Sequence, residues 1–154
     1  MSESSTISRH ALTVLTGQLA VMAFGVTDTI VAGRFSADAL AALSVASAVF
    51  VSVYVSLMGV LQALLPVWAE QHGRGETAAI GQSFRQSLYL AAAASVLGMG
   101  VLLFPEPLLR LTEVPDAMRE SVRDYLIIVG WALPSALFFR LYTTLNQALG
   151  RPQL

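Results

Sequence analysis

Four stretches of this 154-residue chain carry almost no charge, and each is close to the length of a membrane. They cover residues 10–33 (broken by Asp28), 39–69, 86–105 and 125–149 (broken by Arg140). A helix needs roughly 20 apolar residues to cross the hydrocarbon core. The second stretch exceeds that length, which implies tilt or extension past the bilayer. No alternation typical of strands occurs at any length. In lipid, a backbone that must satisfy its own hydrogen bonds forms helices or closed barrels. The expectation is therefore an all-α membrane protein with four antiparallel transmembrane helices over about residues 10–33, 39–70, 84–104 and 122–149. The apolar start could pass for a signal-peptide core, but no clear small-residue cleavage pattern ends it and further spans follow.

Composition agrees. The chain is 55% hydrophobic and 12% charged, about half the charge typical of soluble domains. The net charge of -1 offers no basic face for nucleic acid. There is no cysteine, which removes disulfides, zinc knuckles and thiol chemistry. No nucleophile–base pair or metal-ligand set can be assembled, so an enzyme is not expected.

The connectors are short or turn-rich. Residues 34–39 form a tight link in which Ser36 is placed to cap the second helix. His72-Gly73-Arg74-Gly75-Glu76 reads as a polar turn. Residues 106–124 form a longer loop with a short amphipathic lead into the fourth helix. Arginines are balanced at the two sides of the membrane, and only His10 and His72 tip the count toward a cytoplasmic N-terminus.

The residue that stands out chemically is Asp28. A carboxylate inside a span costs a few kcal/mol even on lenient insertion scales, and it faces a cavity or a partner rather than lipid. The bland alternative is an interfacial acid bonded to a neighbour near its helix end. In the sharper reading, Asp28 gains and loses a cation, H+ or Na+, as a cavity opens to alternate sides. Gly17 lies about 20° from Asp28 around the helix, and Gln18 and Gly25 lie within about 80°. Ser44, Ser52, Gly59, Gln62 and Pro66 make a similar small and polar stripe on the second helix, where close helix packing is the ordinary role. Gln18 and Gln62 are candidate cavity-lining residues. Arg140 is either a cavity cation or a side chain reaching for the interface. Trp131 and Pro134 lie mid-span in the fourth helix, and Pro134 removes a backbone hydrogen bond.

Val26-Thr27-Asp28-Thr29-Ile30-Val31-Ala32-Gly33, followed by Ala39-Leu40-Ala41-Ala42-Leu43, resembles the first two helices of the multidrug and toxic-compound extrusion (MATE) family. Leu64-Leu65-Pro66 with Ala69-Glu70-Gln71-His72-Gly73-Arg74-Gly75 is similar to the end of that family's second helix. Pro105-Glu106-Pro107-Leu108-Leu109-Arg110-Leu111 resembles the loop after its third, and Leu133-Pro134 with Ala148-Leu149-Gly150-Arg151 its fourth. The resemblance implies a twelve-helix, two-lobe secondary antiporter of the bacterial inner membrane. It would export cationic, often aromatic drugs in exchange for H+ or Na+, with Asp28 in the cation site of the N-terminal lobe and no other cofactor. Two positions depart from the pattern. Thr13 stands where relatives often have a helix-bending proline, and Arg140 and Thr143 stand where they often have Gln and Arg. The chain matches only the opening part of such a protein, so the expectation is an N-terminal fragment without the second lobe. A self-contained four-helix transporter acting as a dimer and a nonfunctional remnant are the alternatives.

Overall fold

The structure, a computed structural model, describes residues 3–111 and 114–150. The side chains of residues 3–11, 13, 14 and 111 lie outside that description, and with them the expectations attached to Arg9, His10 and Thr13, as does all of Arg151. Six helices follow one another: α1 (Glu3–Phe35), α2 (Ala37–Gln62), α3 (Leu64–Gly73), α4 (Thr77–Leu103), α5 (Glu106–Leu111) and α6 (Asp116–Ala148). No strand occurs among the described residues. Four segments are long and apolar enough to cross a membrane: Leu15–Phe35, Ala37–Gly73, Thr77–Leu103 and Asp116–Ala148.

The second span is two helices, not one. It breaks at Ala63. Pro66 has no N–H to offer the Gln62 carbonyl, and its ring crowds that carbonyl, so the ladder is interrupted one turn earlier. Beyond the break, α3 is fastened by Trp68, which is fully buried and donates its indole N–H to Ser83 Oγ at 3.0 Å. The polar turn expected at residues 72–76 is a Schellman closure. Glu76 N–H donates to Gln71 O at 2.9 Å and Gly75 N–H to His72 O at 3.0 Å. Gly75 takes φ 74°, where a Cβ would strain the backbone.

Residues 106–124 are more ordered than a solvated loop. They contain α5 and the first turns of α6, closed by Arg119–Asp116 at 2.7 Å and Arg123–Glu106 at 3.4 Å. The like-charged i,i+4 pair Arg119/Arg123 is thus offset, since each arginine finds an acid of its own.

α6 is the hub, with α2 and α4 packed against it. Its buried face recurs every three or four residues as Val122, Leu126, Gly130, Leu133, Leu137, Leu141 and Thr144. The α4 face opposite is mostly small: Ser87, Ala91, Ala94, Ser95 and Gly98. Large side chains on one helix fill space left by small ones on the other, which is how helices associate where lipid removes the hydrophobic drive. The buried serines stay satisfied: Ser87 and Ser95 hydroxyls donate to the carbonyls of Ser83 and Ala91.

The small and polar stripe expected to pack α2 does not do so within this chain. Ser44, Ser52, Gly59 and Pro66 are exposed, and Ala42, Ala46, Val49 and Leu61 are buried instead. Leucine seams select aliphatic neighbours. Ser44 and Ser52 bond their own helix at Leu40 O and Ala48 O, so they need no partner.

Gly98 sits where α2, α4 and α6 meet. A Cβ there would overlap Leu133 Cδ2 and lie 2.6 Å from Leu57 Cδ1. Gly98→Ala is expected to destabilise the bundle by about 1–3 kcal/mol through overpacking. Gly100→Ala, with open space around it, is expected to be neutral or mildly stabilising. Thermal unfolding in detergent compares the two, and equal melting temperatures would remove the three-helix junction as a tight contact.

Candidate functional site

α1 is helical without interruption because nothing in residues 3–35 breaks the ladder: no proline occurs there, and its three glycines are isolated. Around the acid, the threonines turn back on their own helix. Thr27 Oγ1 donates to Ala23 O and Thr29 Oγ1 to Gly25 O, both at 2.8 Å. Neither hydroxyl is spent on Asp28. The carboxylate itself is half-buried and, among the described residues, makes no ion pair or hydrogen bond.

The turn after α1 decides what Asp28 faces. Ser36 is extended (φ -167°, ψ 161°), and its Oγ accepts from Ala39 N–H at 2.9 Å. That N-cap starts α2 one residue after α1 ends, so the two helices are joined by a tight turn. The helices touch there: a Cβ on Gly33 would make ordinary van der Waals contact with Leu40 Cδ2 at 3.7 Å. Beside the turn lies a cleft of ≈ 400 Å³ lined by Asp28, Val31, Ala32, Phe35, Ala39, Leu43 and Tyr125. Three spans contribute: α1, α2 and, through Tyr125, α6.

Apart from the carboxylate and the Tyr125 phenol, every side chain lining this cleft is apolar. A charged acid in such a lining is attractive to a proton or a small cation, and no basic side chain lines the cleft to neutralise it. Tyr125 offers a hydroxyl that can donate to the carboxylate or accept from its protonated form.

Asp28 is thus on a cleft wall. The other candidates are elsewhere: none of Gln18, Gln62 and Arg140 lines this cleft. Gln18 is exposed on α1, and Gln62 is half-buried at the α2–α3 break. Arg140 is half-buried low on α6. Gly17 and Gly25, on the stripe beside Asp28, have nothing within 4 Å of an added Cβ. Tyr125 is the residue that local reading misses. Its only signal is position: it is the first residue of the fourth uncharged run, directly after Asp124.

Similarity to known proteins bears on this geometry. The family model described as MatE matches residues 14–154. The chain belongs to the MatE family. It is 39% identical over 144 residues to the probable multidrug resistance protein NorM of Aromatoleum aromaticum, covering 94% of this chain and 31% of that protein. It is 30% identical over 156 residues to the probable multidrug resistance protein NorM of Neisseria meningitidis serogroup B, covering 100% and 34%. With the multidrug resistance protein MdtK of Pectobacterium atrosepticum it shares 34% identity over 142 residues, covering 91% and 31%. The chain therefore spans about a third of the length of the curated relatives it matches. No solved structure matches it. MatE membership and four membrane-length helices make this a segment of a multi-pass membrane protein of a transporter family.

The absence of cysteine from this segment makes the cleft testable by labelling. In a full-length protein whose sole cysteine is Ala32→Cys, a water-soluble maleimide is expected to react readily. Val96→Cys, on the exposed apolar face of α4, is expected to react about tenfold more slowly, because thiol chemistry needs the thiolate and water. Equal rates would show that the cleft is closed to water.

Proposed function

We propose that this chain is the opening segment of a cation-coupled multidrug exporter of the bacterial inner membrane, in which Asp28 takes up the coupling cation. The observation that carries the reading is a half-buried carboxylate, unpaired among the described residues, on the wall of a cleft between spans. An acid tied to an arginine would resist exchange; one facing an open, mostly apolar cleft exchanges its cation with whichever side the cleft meets. The multidrug resistance named in the relatives supports drugs as the cargo.

The sign of the coupling follows from charge. Deprotonated Asp28 attracts a cationic drug, and protonation removes that attraction. Raising the pH is therefore expected to tighten binding of a cationic dye, and a proton arriving at Asp28 helps release it. Sodium would act on the same carboxylate. Cationic and aromatic molecules suit the site because a carboxylate and a phenol stand among apolar side chains. The N-terminus is assigned to the cytoplasm, which puts the α1–α2 turn and α5 at the outer face.

In the full-length protein, Asp28→Asn is expected to reduce dye efflux to the level of cells lacking the transporter. Membrane insertion should be unchanged, and dye binding should lose its dependence on pH. Efflux by this variant at the parent rate would overturn the assignment. Efflux driven equally well by an imposed proton or sodium gradient, each alone, would identify both as coupling ions.

A further inference from the structure

Among the described residues, Arg140 is a charge without a counter-ion. It lies in α6, half-buried, and its Nε is buried with no hydrogen-bond partner. No carboxylate among the described residues pairs with it. Thr143 and Thr144 are near in sequence, but their hydroxyls donate to the Arg140 carbonyl at 2.9 and 2.8 Å. A guanidinium left so in a membrane protein is costly unless an anion reaches it.

Its depth indicates where that anion comes from. Asp124 is exposed near the α5 end of the membrane, and Arg140 follows it sixteen residues along α6, or about 24 Å of helix. That is somewhat less than a hydrocarbon core of about 30 Å, so Arg140 lies just inside the opposite boundary, on the side of the 73–77 turn. The aromatic residues agree. Gly98 on α4 faces Leu133 on antiparallel α6. Stepping nine residues from each toward the 73–77 side, about 14 Å, reaches Tyr89 on α4 and Tyr142 on α6. Tyr89 is 75% exposed and Tyr142 46%. Exposed tyrosines at one height mark the interface, where the ring sits in lipid and the hydroxyl reaches the headgroups.

We propose that Arg140 binds the phosphate of an anionic phospholipid in the leaflet on the side of the 73–77 turn. Arginine suits this role because the terminal nitrogens of its planar guanidinium can meet two phosphate oxygens at once. Tyr142 and Tyr89 flank the headgroup region at the same height. The net negative charge of a phosphatidylglycerol-type lipid favours it over a zwitterionic one, whose own ammonium competes with the arginine. The inference stands whether or not Asp28 couples a cation.

The test uses the full-length protein purified in detergent and in nanodiscs of phosphatidylcholine with or without phosphatidylglycerol. Phosphatidylglycerol is expected to raise the melting temperature of the parent and to remain bound in native mass spectrometry. Arg140→Gln is expected to lose most of the shift and of the retained lipid, Arg140→Lys to keep part of both, and Arg85→Gln, at an exposed arginine, to keep nearly all. Should Arg140→Gln fold too poorly to assay, lipid retention by Arg140→Lys decides in its place. An undiminished shift in Arg140→Gln overturns the proposal. So does an equal loss of stability with and without phosphatidylglycerol, which would mean that a carboxylate of the protein is the partner. A shift reproduced by inorganic phosphate in lipid-free detergent overturns the lipid as its source.

Discussion

The seam between α6 and α4 is the contact on which the rest depends. Lipid is as apolar as leucine, so helices gain nothing by merely hiding leucine from it; they gain by fitting. Here Leu133, Leu137 and Leu141 are fully buried, and α4 opposes them with alanine, serine and glycine. Gly98 and Gly130 mark the closest approaches. A Cβ on Gly130 would stand 3.2 Å from Leu102 Cβ, an atom that cannot rotate away. Once α4 and α6 are set at that spacing, α2 lies against α6 with Ala42, Ala46 and Val49, and α3 turns back through Trp68.

α1 is outside this arrangement, and the cleft beside Asp28 follows from that. None of its spanning segment is buried within the chain, and its contacts run mainly to α2. Joined to α2 at the Ser36 cap, it leaves Asp28 on the wall of an open cleft. Had α1 joined the seam as α4 does, its acid would be either fully desolvated or matched to a fixed cation, and neither state exchanges ions readily. The slight burial of α1 and an unpaired carboxylate are thus two aspects of one placement.

Much of this was legible in the residues. Charges at Arg34, Asp38, Glu70 and Glu106 stand close to the ends of the membrane-length helices, because lipid leaves few places for a charge to go, whereas Arg85 and Asp124 lie inside theirs. Ser36 announced its cap and Gly75 its turn. The break at Ala63 was half legible: Pro66 gave the perturbation, yet a proline alone does not say whether a helix bends or divides. The face of α2 was misread, since Ser44, Ser52 and Gly59 look like a packing stripe by their size. Periodicity shows that a helix has two faces; it does not rank them when both are compatible with protein, cavity or lipid. Tyr125 was not legible as a site residue at all. It joins Asp28 across nearly a hundred positions of chain, and such a pairing is fixed by how α2 lies on α6, which no local pattern records.

Asp28 and Arg140 show how the same cost has two outcomes. Each is an ionisable group inside a span, and each lacks a partner among the described residues. Asp28 can shed its charge by binding a proton, so its surroundings need only alternate between wet and dry for it to change state. Arg140 cannot, because guanidinium stays protonated throughout the range in which proteins work. Its charge calls for a permanent anion, the role proposed above for a lipid phosphate. An acid thus lies near one end of the spans and a fixed cation near the other. The division follows from what each side chain's chemistry permits in a medium that tolerates neither charge uncompensated.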